Sequence, residues 1–165
     1  LDAGDKTIQF GQAGDIPMLG DWNGTGRIKL GLFRQGTFIF DLSGHLSGSP
    51  TGISDVTFPF GQPGDLPVVA DWNASGTTKA GVFRNGQWLV DFNGSRTATA
   101  VYNYGRAGDL PVVGDWNGMG IPNQIGVYRA GLWILNSGGG NAMPSGGQYE
   151  LYIAFGGSGY TPLVY

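Results

Sequence analysis

Arg34, Arg84 and Arg129 recur at one equivalent position along the chain, and so do Asp15, Asp65 and Asp109. Two chemistries suit such a set. Guanidinium and carboxylate can close ion pairs between neighbouring units, or the carboxylate can clamp backbone amides. Alternatively, the repeated charges ring a ligand. A second set is aromatic. Trp22, Trp72 and Trp116 end three equivalent apolar runs, and Trp88 and Trp133 follow in later runs. Indoles at repeated positions serve either as packing between units or as stacking platforms for sugar rings.

Catalysis has little to stand on. The one histidine, His45, sits among Ser, Gly and Pro, with no partner at a recognisable spacing for a Ser/His/Asp site. Glu150 is the only glutamate, and the aspartates are mostly repeat residues, so no carboxylate pair for glycoside hydrolysis stands out. Phosphate loops, dinucleotide fingerprints and zinc spacings are missing. The chain therefore reads as non-enzymatic, with no required cofactor. A net charge of −3 with scattered basic residues argues against nucleic acid as a partner. No apolar run reaches the roughly 18 residues of a membrane-spanning helix. Cysteine is absent, which excludes disulfides and fits an exported bacterial protein as well as a cytosolic one. Residue 1 is Leu, which points to a removed N-terminal segment or to a piece of a longer chain.

What must position these residues is a repeat. Phe10-Gly11-Gln12-Ala13-Gly14-Asp15-Ile16-Pro17 returns as Phe60-Gly61-Gln62-Pro63-Gly64-Asp65-Leu66-Pro67 and as Tyr104-Gly105-Arg106-Ala107-Gly108-Asp109-Leu110-Pro111. A fourth copy begins at Phe155-Gly156. Periods of roughly 45–50 residues signal one supersecondary unit repeated in a ring or a stack, and such a unit buries its apolar face only against neighbours.

The second copy gives the clearest reading of a unit. Leu66-Pro67-Val68-Val69-Ala70 is a short apolar run, read as a buried strand. Lys79-Ala80-Gly81-Val82-Phe83-Arg84 and Gln87-Trp88-Leu89-Val90 flank Asn85-Gly86, a two-residue signal for a type I′ hairpin. A fourth strand precedes Tyr104. Nothing carries a helical period. The expectation is an all-β chain, residues 1–165 forming one repeat domain. It is a β-propeller-type array of four-stranded antiparallel blades, with units at about 11–60, 61–104 and 105–155. Extra strands over 6–10 and 161–165 overshoot the three blades. Three units of four strands also describe a β-trefoil, the alternative architecture. Unpaired strands at both ends predict completion by other copies of the chain or by neighbouring blades of a longer chain.

The run Gly20-Asp21-Trp22-Asn23-Gly24-Thr25-Gly26, followed by Gly31-Leu32-Phe33-Arg34, resembles the FG-GAP and VCBS-type propeller repeats of bacterial surface and secreted proteins. Asp71-Trp72-Asn73-Ala74-Ser75-Gly76 and Asp115-Trp116-Asn117-Gly118-Met119-Gly120 match it as well. The resemblance covers nearly the whole chain. It implies an extracellular or cell-surface module that binds glycan or protein partners or serves adhesion. The alternatives are a self-assembling subunit of a ring or filament, and an accessory domain of a secreted hydrolase.

In that family an Asp-x-Asp-x-Asp-Gly loop often holds calcium, through oxygens on alternate residues. Here Asp21/Asn23, Asp71/Asn73 and Asp115/Asn117 keep the first two positions, the third is Thr25, Ser75 or Met119, and the closing acid gives way to Lys29, Lys79, and Asn123 or Gln124. One carboxylate per loop makes weak calcium binding the most these loops offer. Asx-type turn pinning is the plainer reading. A sharper one seats each lysine ammonium among the oxygens of its own loop. The residues carried forward as candidate ligand contacts are Trp22, Trp72, Trp116, Arg34, Arg84 and Arg129.

Overall fold

The computed structural model describes residues 7–43, 55–121, 123–138, 150–157, 159, 161 and 162. Among them there is no helix. Twelve strands form three four-stranded antiparallel sheets, each a simple meander in chain order. Sheet one holds β1 (Ile16–Gly20), β2 (Lys29–Arg34), β3 (Thr37–Phe40) and β4 (Val56–Pro59). Sheet two holds β5 (Leu66–Ala70), β6 (Lys79–Arg84), β7 (Gln87–Val90) and β8 (Ala100–Asn103). Sheet three holds β9 (Leu110–Gly114), β10 (Gln124–Arg129), β11 (Leu132–Asn136) and β12 (Glu150–Ala154).

The registers coincide from sheet to sheet. Ile16 pairs with Phe33, Leu66 with Phe83, and Leu110 with Tyr128. The central hairpins turn on Gln35-Gly36, Asn85-Gly86 and Ala130-Gly131, with positive φ at both residues of each pair. That is the I′ geometry, whose twist matches the flanking strands. Only glycine fits the second place. A Cβ on Gly86 would stand 2.6 Å from the carbonyl oxygen of Gly105.

Each sheet shows aromatic side chains to the next, which answers with aliphatic ones. Trp22, Phe33, Phe38, Phe40, Phe58 and Phe60 of the first unit pack on Ala80 and Val82, with Val69 and Leu89 at the margin. Trp72, Phe83, Trp88 and Tyr104 of the second pack with Ile125, Val127 and Ile134 of the third. The first strands are neighbours in turn, β1 beside β5 and β5 beside β9. One backbone clasp ties the first two units: Asp21 N donates to Thr78 Oγ1 at 3.0 Å, and Thr78 N donates to the Asp21 carbonyl at 2.9 Å.

Two expectations change. A trefoil needs strands of all three units to share one barrel, whereas among the described residues each unit's strands pair only with one another. The strand expected over 6–10 is not formed across residues 7–10. Its partner would be the third strand of a unit, and β3, β7 and β11 already pair on that edge with β4, β8 and β12. Of the strand expected over 161–165, residues 161 and 162 are not strand and the rest lies outside the described residues. His45 also lies outside them.

Candidate functional site

Every unit has a polar cluster at each end of its first strand. Asp15, Asp65 and Asp109 precede β1, β5 and β9, while Asp21, Asp71 and Asp115 follow them. The antiparallel partner strand brings an arginine back to the first end and, in two units, a lysine to the second. The repeat spacing therefore determines both clusters.

At the first end the arginines form bidentate ion pairs. Arg34 Nε donates to Asp15 Oδ1 at 2.6 Å and Arg34 Nη2 to Oδ2 at 2.7 Å. Arg84 with Asp65 and Arg129 with Asp109 repeat this to within 0.1 Å. The same carboxylates accept the amides of Gln12, Gln62 and Arg106. Of the two alternatives, the backbone clamp is formed, while the ion pairs lie within units and not between them. The reason is register: the arginine ends the strand beside the one that the aspartate begins. Arg34 and the neighbouring amide hold the Asp15 carboxyl below the usual range, although burial pulls the other way. Burial also presses Asp109 upward, but the hydrogen bonds from Arg129 and the Arg106 amide outweigh it and the carboxyl is again lowered. Each guanidinium spends two donors and its charge on its own aspartate, which leaves little to attract an anion.

Beside this end, between sheets two and three, lies an open cleft of about 360 Å³. Asp65, Leu66, Phe83, Arg84, Asn85 and Asp109 are among its lining residues.

At the second end a buried ammonium sits in a loop of oxygens. Lys29 Nζ donates to Asp21 Oδ1 (3.1 Å), Asn23 Oδ1 (2.6 Å), Thr25 Oγ1 (2.8 Å) and the Arg27 carbonyl (2.9 Å). Lys79 meets Asp71 Oδ1 (3.1 Å), Asn73 Oδ1 (2.6 Å), Ser75 Oγ (2.6 Å) and the Thr77 carbonyl (2.8 Å). The aspartates also pin their turns, accepting the amides of Thr25 and Gly26, and of Ser75 and Gly76. Burial acts to raise both carboxyls. The lysines and these amides prevail, and both end below the usual range.

The third unit departs. Gln124 takes the pairing place of the lysines, opposite Gly114 as Lys29 is opposite Gly20 and Lys79 opposite Ala70. Its amide turns inward: Trp116 N donates to Gln124 Oε1, and Gln124 Nε2 donates to Asn123 Oδ1. Asp115 still accepts the amides of Met119 and Gly120. Among the described residues, no three or more His, Cys, Asp or Glu side chains gather as a metal site would require.

The tryptophans are packed. Trp22, Trp72 and Trp88 are buried, and Trp116 and Trp133 half-buried. Trp22 Nε1 donates to the Leu30 carbonyl and Trp72 Nε1 to the Ala80 carbonyl, so these indoles close on their own units. Trp22 also stacks on Phe40 with ring centroids 3.9 Å apart. The sequence reading passed over a further repeated group, Asp41, Asp91 and Asn136, all buried. They follow or end the third strands, and Asp91 accepts the amides of Gly94, Ser95 and Arg96. Their shared offset from the hairpin glycines was the available signal.

Comparison with protein-family models, curated proteins and solved structures finds no match. The likeness to FG-GAP and VCBS-type repeats rests on the motif residues alone.

Proposed function

We propose that this chain is a non-enzymatic, propeller-type module whose blades continue onto further blades of the same kind, making it a self-assembling subunit of a ring or filament. The observation that carries this reading is a comparison of equivalent aromatics. Phe60 is 5% exposed and Tyr104 9%, each covered by the following sheet, whereas Phe155 is 74% exposed. At the opposite end Leu19 is 57% exposed, while its counterparts Val69 and Val113 pack against a preceding sheet. Exposed apolar surface of this kind marks an interaction site, and the two internal interfaces supply its chemistry: aromatic against aliphatic. Light scattering over a wide concentration range tests it. A mass above that of one chain is expected, a fixed multiple for a ring or one rising with concentration for a filament, and a single-chain mass throughout would overturn it.

A second reading is favoured by the cleft between sheets two and three. Its mixture of Asp65, Arg84 and Asn85 with Leu66 and Phe83 suits a glycan or a loop of a protein partner. Adhesion or recognition at an extracellular bacterial surface would then be the role, as the FG-GAP and VCBS likeness implies, and an accessory domain of a secreted hydrolase is a variant of it. Glycan-array binding lost in Gln62→Trp, which adds bulk to the cleft lining, would support this reading. Unchanged binding would remove it. Calcium is not required for either role. No helix of the described residues is long and apolar enough to cross a membrane.

A further inference from the structure

Lys29 and Lys79, the first residues of β2 and β6, are unusual among lysines in being buried. Their side chains are only 5% and 6% exposed. Each ammonium faces four oxygens, although it carries only three N–H donors. The oxygens come from alternate residues of one loop: side chains at 21, 23 and 25 and the carbonyl at 27, and likewise 71, 73, 75 and 77. A single strand of chain that turns oxygens inward from every second residue, with glycine at the sharp bend, is how proteins surround a hard spherical cation. Gly26 and Gly76 supply that bend with φ of 74° and 81°.

Charge explains why the occupant is an ammonium. Each loop places one carboxylate, Asp21 or Asp71, against the lysine, and the remaining partners are neutral oxygens. A single positive charge balances that set. A divalent ion would be left half-compensated, and the ammonium would first have to be expelled into contact with it. The distances of 2.6–3.1 Å are those of N–H···O hydrogen bonds and exceed most calcium–oxygen bonds, so each shell is set at the width of an ammonium.

We infer that Lys29 and Lys79 act as built-in cations: each ammonium fills the ion position of a divalent-cation loop, closing that loop to calcium, and replacing the lysine by an acid opens the position to calcium. The ligand class is a hard divalent ion with oxygen preference. In Lys29→Asp the loop would offer Asp21, Asn23, Thr25, the Arg27 carbonyl and the new carboxylate. Affinity on the order of 10⁻⁴–10⁻³ M is expected for so few charges. The third unit is the internal contrast, since Gln124 seats no charge against Asp115.

The test uses the full chain, wild type beside Lys29→Asp and Lys79→Asp, titrated with calcium chloride by calorimetry. Terbium provides a second probe, because Trp22 and Trp72 lie within the loops and can sensitise its luminescence. Wild type is expected to show no saturable calcium heat and the same melting temperature in calcium and in chelator. Each acid variant is expected to melt lower than wild type in chelator, to regain stability in calcium, and to show saturable terbium emission. Lys29→Met is expected to melt low in both, because it supplies neither cation nor ligand. If an acid variant does not fold in chelator, recovery of the strand spectrum on refolding from urea with calcium supports the inference. Saturable calcium binding by the wild-type loops, removed by Asp21→Asn, would overturn it. So would an acid variant that folds yet takes no calcium or terbium, or one that stays unfolded with calcium.

Discussion

Asp65 is shared between a side chain and the backbone. Its Oδ2 accepts Arg84 Nη2 at 2.7 Å and the Gln62 amide at 2.8 Å, so one carboxylate joins the end of β6 to the turn that starts β5. The aspartate is buried and the arginine about a third exposed. Removing the carboxylate leaves a guanidinium that solvent can reach and deprives the Gln62 amide of its acceptor. Asp65→Ala is therefore expected to cost about 2–3 kcal/mol. Arg84→Ala, which leaves the buried carboxylate unpaired, should cost at least as much. Urea denaturation of both variants checks this, and a loss within experimental error would show that the clamp is ornamental.

The pH dependence of stability follows from four carboxyls held low: Asp15, Asp21, Asp71 and Asp109. A carboxyl whose folded pKa lies below its unfolded value stabilises the fold above the unfolded value, about 3.9 for aspartate. That contribution is lost as pH falls through the folded pKa. The melting temperature is expected to be level from about pH 8 to pH 5 and to fall steeply below about pH 4. A scan that peaked near pH 3 would contradict the assignment.

Tyr104 stands where the flanking units have phenylalanine, and its hydroxyl is buried without a partner among the described residues. Burial drives its pKa upward, with lesser contributions from Glu150 and Tyr152. Tyr104→Phe removes the polar atom and keeps the ring. It should be neutral or stabilising by up to about 1 kcal/mol, which thermal melts would reveal. A clear loss would mean that the hydroxyl has a partner.

The equivalent indoles are not equal. Trp72 is fully buried and donates to the Ala80 carbonyl at 3.1 Å, whereas the buried Trp116 Nε1 has no acceptor among the described residues. Phenylalanine at 72 forfeits a hydrogen bond and some packing, about 1–2 kcal/mol. Phenylalanine at 116 should cost less. Equal losses in paired melts would refute the distinction.

If the end sheets dock on other copies, Phe155→Ser and Leu19→Ser should each lower the assembled fraction while leaving the melting temperature of the isolated chain within about a degree or two. Both residues are exposed, so little internal packing is disturbed. Sedimentation of the variants beside wild type reads the first effect and calorimetry the second.

Much of this was legible in the sequence because the repeat states each element three times. Asn85-Gly86 announced its hairpin by turn chemistry, and the apolar run from Leu66 to Ala70 announced β5. Gln35 and Ala130 would not have done so alone, since neither favours positive φ, and the repeat alignment had to place them. The seating of Lys29 among its loop oxygens was one of the alternatives raised by the resemblance to a calcium loop, beside plain Asx-turn pinning. Pairing in space was harder to read. Whether Arg34 reaches an aspartate of its own unit or of a neighbour depends on register, which composition does not encode. Asp41 and Asp91 escaped notice because turn aspartates are common and their burial is a tertiary fact. The strand over 6–10 was misread for the same reason: a sequence suited to strand forms one only beside a free edge.

The sheets present aromatics on one side and aliphatics on the other, which gives the array a chemical polarity like that of a polymer chain. Two ends of the same kind are a poor match: Phe155 against Phe155 would set ring against ring without the recesses that Ala80 and Val82 provide for Phe38 and Phe60. Growth or closure would then proceed in one sense only. If copies dock in this way, a partner that ends the array imitates one end and not the other, and a short peptide carrying only aliphatic residues in the β5–β6 pattern is expected to stop growth.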